Sequence, residues 1–174
     1  MKKIIEIILF AIITLTSGIL ATSCDSCETV VCTNGYCNNE TCICNDGYEK
    51  INRECTSINH RYAGEDMLGI QIKEGHWTGP PDTQTVTYTI ITSDLDPTQI
   101  ILKNFNNFVG HDIHFTVNEL NRNELIETET LTTGPIPAIY KASGSKNDNQ
   151  IKLTVQDYTL GSLAFPAFHI TLSQ

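Results

Sequence analysis

All seven cysteines of this chain lie between Cys24 and Cys55, and none follows. Such clustering marks off a small module from a cysteine-free remainder long enough for one ordinary domain. Residues 27 to 55 are too few to bury the apolar surface that would offset the entropy of ordering them, so the sulfurs must stabilise the module, as disulfides or as metal ligands. Compartment decides between the two. Lys2 and Lys3 precede a mostly apolar stretch, Ile7 to Ala21, that closes on the small residues Ala21, Thr22 and Ser23. That order of charge, apolar run and small residues reads as an export signal over residues 1–23, and the run falls short of the ~20 residues that cross a bilayer comfortably. Exported thiols meet oxidising conditions and pair, so disulfides are expected in preference to zinc, with no metal and no cofactor.

Seven thiols leave one over. Ordinary signal peptidase would cut after Ser23, because Ala21 and Ser23 occupy the small-residue positions. Leu20-Ala21-Thr22-Ser23-Cys24 also resembles a relaxed bacterial lipobox, whose cysteine is acylated on sulfur and, once cut free, on its amino group. The resemblance implies a lipid on Cys24 and a membrane as partner, and it accounts for the unpaired thiol.

The other six cysteines are Cys27, Cys32, Cys37, Cys42, Cys44 and Cys55, with gaps of four, four, four, one and ten residues. Spacing alone leaves many pairings open. The run Cys42-Ile43-Cys44-Asn45-Asp46-Gly47-Tyr48, closed by Cys55, resembles the ending of an EGF-like domain, and the likeness covers residues 27 to 55. It implies Cys27–Cys37, Cys32–Cys42 and Cys44–Cys55. Asp25 and Glu28 straddle Cys27 instead of clustering before it, which departs from the calcium-binding members, so no calcium site is expected.

With the anchor cysteine, the module spans 24–58; residues 59–174 form the second domain. There the alternation has period two: Val86, Tyr88 and Ile90 against Thr85, Thr87 and Thr89; Ile113, Phe115 and Val117 against His114 and Thr116; Ile151, Leu153 and Val155 against Lys152 and Thr154. Each is the pattern of a strand with one buried face. Further strands are expected over Asp66–Lys73, Gln99–Asn104, Glu124–Leu131, Ile136–Ser143 and Ala164–Leu172. Turn chemistry separates them, at Asp94-Leu95-Asp96-Pro97 and Lys146-Asn147-Asp148-Asn149 among others. Ser143-Gly144-Ser145 reads as a bend. The fold class is all-β: a disulfide-rich module followed by an antiparallel β-barrel-like or β-sandwich domain of about eight strands. Tyr62-Ala63-Gly64, Tyr88 to Ser93, Asp96-Pro97-Thr98 and Ala142 to Ser145 resemble the β domain of small bacterial surface lipoproteins that carry an EGF-like module first. That likeness implies architecture and a surface location and transfers no catalytic residue.

Lys and Arg total 11 against 20 Asp and Glu, a net charge of −9 that disfavours nucleic acid. Glu127 and Glu129 share a strand face, as a glycosidase pair must, but so would any solvated face. His111 and His114, three apart on a strand, point to opposite faces and make a poor chelate. His169 has no serine motif beside it, and phosphate-binding glycine loops are absent. Trp77, between Gly75-His76 and Thr78-Gly79-Pro80, either stacks on a ligand or plugs one end of the domain. The expected function is a membrane-anchored extracytoplasmic binding or adhesion lipoprotein at a bacterial outer membrane, not an enzyme, meeting a surface protein or a glycan. The alternatives are a carrier of an apolar small molecule in a barrel cavity and a carbohydrate-active hydrolase.

Overall fold

Short polar turns and β-branched runs produce twelve strands in two groups among the described residues. The structure, a computed structural model, describes Cys27 and residues 31–74, 80–132, 137–159 and 167–174. Two hairpins build the module: β1 (Gly35–Asn38) with β2 (Thr41–Cys44), and β3 (Tyr48–Ile51) with β4 (Glu54–Ser57). Their two-residue turns, Asn39-Glu40 and Asn52-Arg53, hold both residues at positive φ, the geometry that matches the twist of a tight hairpin. Disulfides join Cys27 to Cys37, Cys32 to Cys42 and Cys44 to Cys55. The last ties the end of β2 into β4, so the two hairpins are held as one body.

A 3-10 turn at Ile58–Tyr62 leads into eight more strands: β5 (Gly64–Lys73), β6 (Asp82–Thr92), β7 (Gln99–Leu102), β8 (Ile113–Val117), β9 (Glu124–Leu131), β10 (Ile139–Asn147), β11 (Gln150–Asp157) and β12 (Ala167–Ser173). Each pairs antiparallel with its chain neighbours, and β12 pairs back on β5, closing a barrel instead of a sandwich. Register sets inward residues side by side: Ile100 beside Phe115, Leu102 beside Ile113, Leu153 beside Ile170 and Ile151 beside Leu172. All eight side chains are fully or almost fully buried. A one-residue slip would turn every one of them to water, which is what fixes the pairing.

Several local expectations are corrected. β7 ends at Leu102, because Asn104 turns into the left-handed region (φ 50) and starts a new bend. β10 runs on to Asn147, so Lys146 and Asn147 belong to the strand and the turn shrinks to Asp148-Asn149. Ser143-Gly144-Ser145 is not a bend but the middle of β10. The irregularity sits opposite, where Ala142 pairs with Thr128 but Gly144 with Leu125. The extra residue leaves Ile126 and Glu127 both exposed, a β-bulge. Gly144 is needed for close approach, since a Cβ there would lie 2.4 Å from the Lys152 carbonyl oxygen. Gly69 plays the same part at the seam, with 2.2 Å to the Thr171 carbonyl oxygen. Residues 1–23, Cys24, Trp77, Phe165 and the first residues of the expected strands from Ile136 and Ala164 lie outside the described residues.

The up-and-down order sorts the connections. Those after β6, β8 and β10 lie at the end nearest the module, and those after β5, β7, β9 and β11 at the far end.

Candidate functional site at the module–barrel junction

The start of β3 delivers one carboxylate to the barrel. Glu49 is only 6% exposed and is gripped by two guanidinium groups. Arg61, on the 3-10 turn, donates from Nε to Oε1 at 2.5 Å and from Nη2 to Oε2 at 2.8 Å. Arg122, in the β8–β9 connection, donates from Nη1 to Oε2 at 2.8 Å. Two-pronged contact of this kind fixes direction as well as distance. Each arginine is itself positioned. Arg61 also donates to Asn123 Oδ1 at 3.3 Å, and the buried Tyr62 hydroxyl donates to the Arg122 carbonyl at 3.0 Å. Burial pushes the Tyr62 phenol up to about 12, so it stays a donor at any physiological pH.

Arg61's hydrogen bonds hold the Glu49 carboxyl below its ordinary value of 4.5, burial opposes this, and Arg122 adds to the lowering. A group with a depressed folded pKa stabilises fully above its unfolded value and loses that contribution as pH falls through the folded value. The clamp is therefore expected to hold at neutral pH and to release in acid, below the ordinary glutamate range. Glu49→Gln should cost about 2 kcal/mol at pH 7, discounted from a fully buried pair because both arginines are partly in water, and the variant should lose most of that acid dependence. Urea midpoints of the two proteins, followed from pH 7 to pH 3, check both statements.

Backbone contacts complete the junction. Gly47, at φ +79, is the place where the module meets Pro97; a Cβ on it would lie 2.6 Å from the proline ring. Ile58 N–H donates to Gly47 O at 3.0 Å, and Asn59 N–H to Pro97 O at 3.1 Å. The buried Asn59 amide then donates to Asp96 O at 3.1 Å and Gln99 O at 2.9 Å, so one side chain staples the β6–β7 loop. Asp96 stiffens the loop from within, accepting from Thr98 N at 2.8 Å and Thr98 Oγ1 at 2.6 Å.

Between module and loop lies a cleft of about 500 Å³, walled on one side by Asn34, Tyr48 and Ser57 and on the other by Ser93, Asp94 and Pro97. A shallower groove of about 580 Å³ runs past His60, Met67 and Gln174. Size alone does not separate them; the two sides of the first are joined by the contacts above.

The residues singled out from sequence fall elsewhere. Glu127 and Glu129 are both on the solvated outer wall of β9, where Glu127 meets Lys141 at 3.6 Å. His169 is exposed on β12 and bonds Glu74 Oε1 at 2.9 Å. Three strand spacings, roughly 14 Å, separate β9 from β12, so these groups do not converge. His111 is buried beside the Tyr140 hydroxyl at 3.3 Å, whereas His114 faces Gln99 Oε1 at 3.1 Å. Among the described residues no group of three or more His, Cys, Asp or Glu is placed to hold a metal ion. Phe105 and Phe115, both fully buried, occupy the described part of the barrel interior.

The clamp itself was invisible in the sequence. Glu49 lies 12 residues from Arg61 and 73 from Arg122, separations that carry no periodic signal. Comparison of the chain with protein-family models, with curated proteins and with solved structures finds no match.

Proposed function

We propose that the chain is a membrane-anchored extracytoplasmic binding or adhesion lipoprotein at the outer membrane of a bacterium, held by an acylated Cys24, with an EGF-like module between the lipid and the barrel. The observation that carries this reading is the thiol count: three disulfides take six of the seven cysteines and leave Cys24 over. An exported protein with one leftover thiol, placed directly after a signal-like leader, is explained if that sulfur carries fat. Two or more acyl chains anchor stably, and a clamped module holds the barrel at a set attitude to whatever lies beneath it. No catalytic step enters the reading, and loops on a rigid frame are the usual means of recognition.

Detergent-phase partitioning and intact mass test it together. The wild-type chain is expected in the detergent phase, beginning at an acylated Cys24 and lighter by the hydrogens of three disulfides. Cys24→Ser should move it to the aqueous phase. An unacylated wild-type product in the aqueous phase would sink the proposal.

A further inference from the structure

We infer that the cleft between the module and the β6–β7 loop is a binding site for a neutral saccharide, an inference that rests on the binding reading and names its ligand. Its walls carry the hydroxyls of Thr56, Ser57, Thr92 and Ser93, the Asn34 amide and the carboxylates of Glu54 and Asp94. None of the lining residues is Lys, Arg or His. An anionic ligand would find no counter-charge there and would meet a chain of net charge −9. A polyol suits the same groups: its hydroxyls donate to the carboxylates and both donate to and accept from the Ser, Thr and Asn side chains.

The apolar parts fit as well. Tyr48 and Pro97 supply ring surfaces in the cleft, which match the C–H faces of a pyranose, and a phenol tip keeps a polar contact within reach. The volume of about 500 Å³ lies in the range of small-ligand sites. Both carboxylates are exposed, where attraction for a basic side chain is weakened by solvent, so hydroxyl complementarity outweighs charge as the basis of recognition.

Preorganisation supports the assignment. Ser93 N–H donates to Gln99 O and Gln99 N–H to Asp96 O, closing the barrel wall on itself, while Asn45 N–H to Asn34 O closes the module wall. With Asn59 stapling one wall and the Glu49 clamp spacing the two, a ligand meets groups already in place and loses less entropy on binding.

The test prints neutral, sialylated and sulfated oligosaccharides on one array, alongside a lysine-rich peptide, and applies the full-length disulfide-bonded chain. Neutral probes should be retained, and calorimetric titration with the best of them should weaken by about tenfold or more in Asp94→Arg and in Tyr48→Ala. Asp94 is exposed on the barrel loop, so its variant reports on the cleft even if the Tyr48 variant fails to fold. Retention of acidic probes alone, retention of the peptide in place of saccharide, no retention at all, or full affinity in Asp94→Arg each overturns the inference. Phase partitioning reads the anchor separately, so a lipidated chain blind to sugars would refute the ligand while leaving the membrane-anchored reading standing.

Discussion

Replacing Cys44 and Cys55 together by serine is expected to unfold the module and leave the barrel folded. The bridge closes a separation of 11 residues, worth about 3 kcal/mol of denatured-state entropy. Little else compensates. Among the described residues of 31–55, the buried apolar side chains are those of Cys42 and Cys55 themselves, so the module has almost no core beyond its sulfurs. The barrel draws on a separate cluster running from Ile58 to Leu172. Amide exchange should therefore show protection lost across 31–55 and retained in β7, β8 and β11. If the module stayed protected in the double-serine protein, the bridges would be ornamental and their role here would be wrong.

Phe105→Ala is expected to be the most damaging single change in the barrel. Its ring is 1% exposed and meets Phe168 edge-on at 5.1 Å and Tyr140 edge-on at 5.4 Å, with Tyr88 stacked at 6.4 Å. Removing a buried phenylalanine costs about 3–5 kcal/mol, from lost transfer energy and from the cavity left behind. The same ring pins an unusual turn, in which Asn104, Asn106 and Asn107 all hold positive φ. A neighbouring polar ring depends on that turn: Tyr88 Oη donates to Gln71 Oε1 at 2.7 Å, Gln71 Nε2 to Asn106 Oδ1 at 3.3 Å, and Asn106 N–H to Tyr88 Oη at 3.0 Å. Thermal unfolding should show the midpoint falling by roughly 12–25 °C for a domain of this size. A loss under about 1 kcal/mol would mean that the interior relaxes into the gap, contrary to the packing described.

The barrel was legible because its signal is periodic. Ile113, Phe115 and Val117, and Ile151, Leu153 and Val155, are inward in the structure just as their alternation requires. One failed expectation has its cause in a partner strand: the bulge on β9 displaces the irregularity that Ser143-Gly144-Ser145 signalled on β10, and no reading of one strand reveals its neighbour's extra residue. Barrel and sandwich share one pattern and differ only in whether β5 finds β12. The junction was illegible for a different reason. Its clamp joins charges from distant segments, and its cleft is walled largely by Ser, Thr, Asn and Pro, residues that in sequence announce turns and nothing more.

Closure of the β5–β12 seam also governs how copies of this protein behave beside one another. A sheet with a free margin exposes unsatisfied amides that a second molecule can complete, and crowding then drives polymerisation. The closed order leaves no edge strand, and the free margin among the described barrel strands includes the stretch of β6 from Asp82 to Tyr88, which pairs with β5 but runs past the end of β7; the module's exposed hairpin margins are four residues long. Molecules packed shoulder to shoulder therefore present less free margin for strand addition than an open sheet of the same strands would.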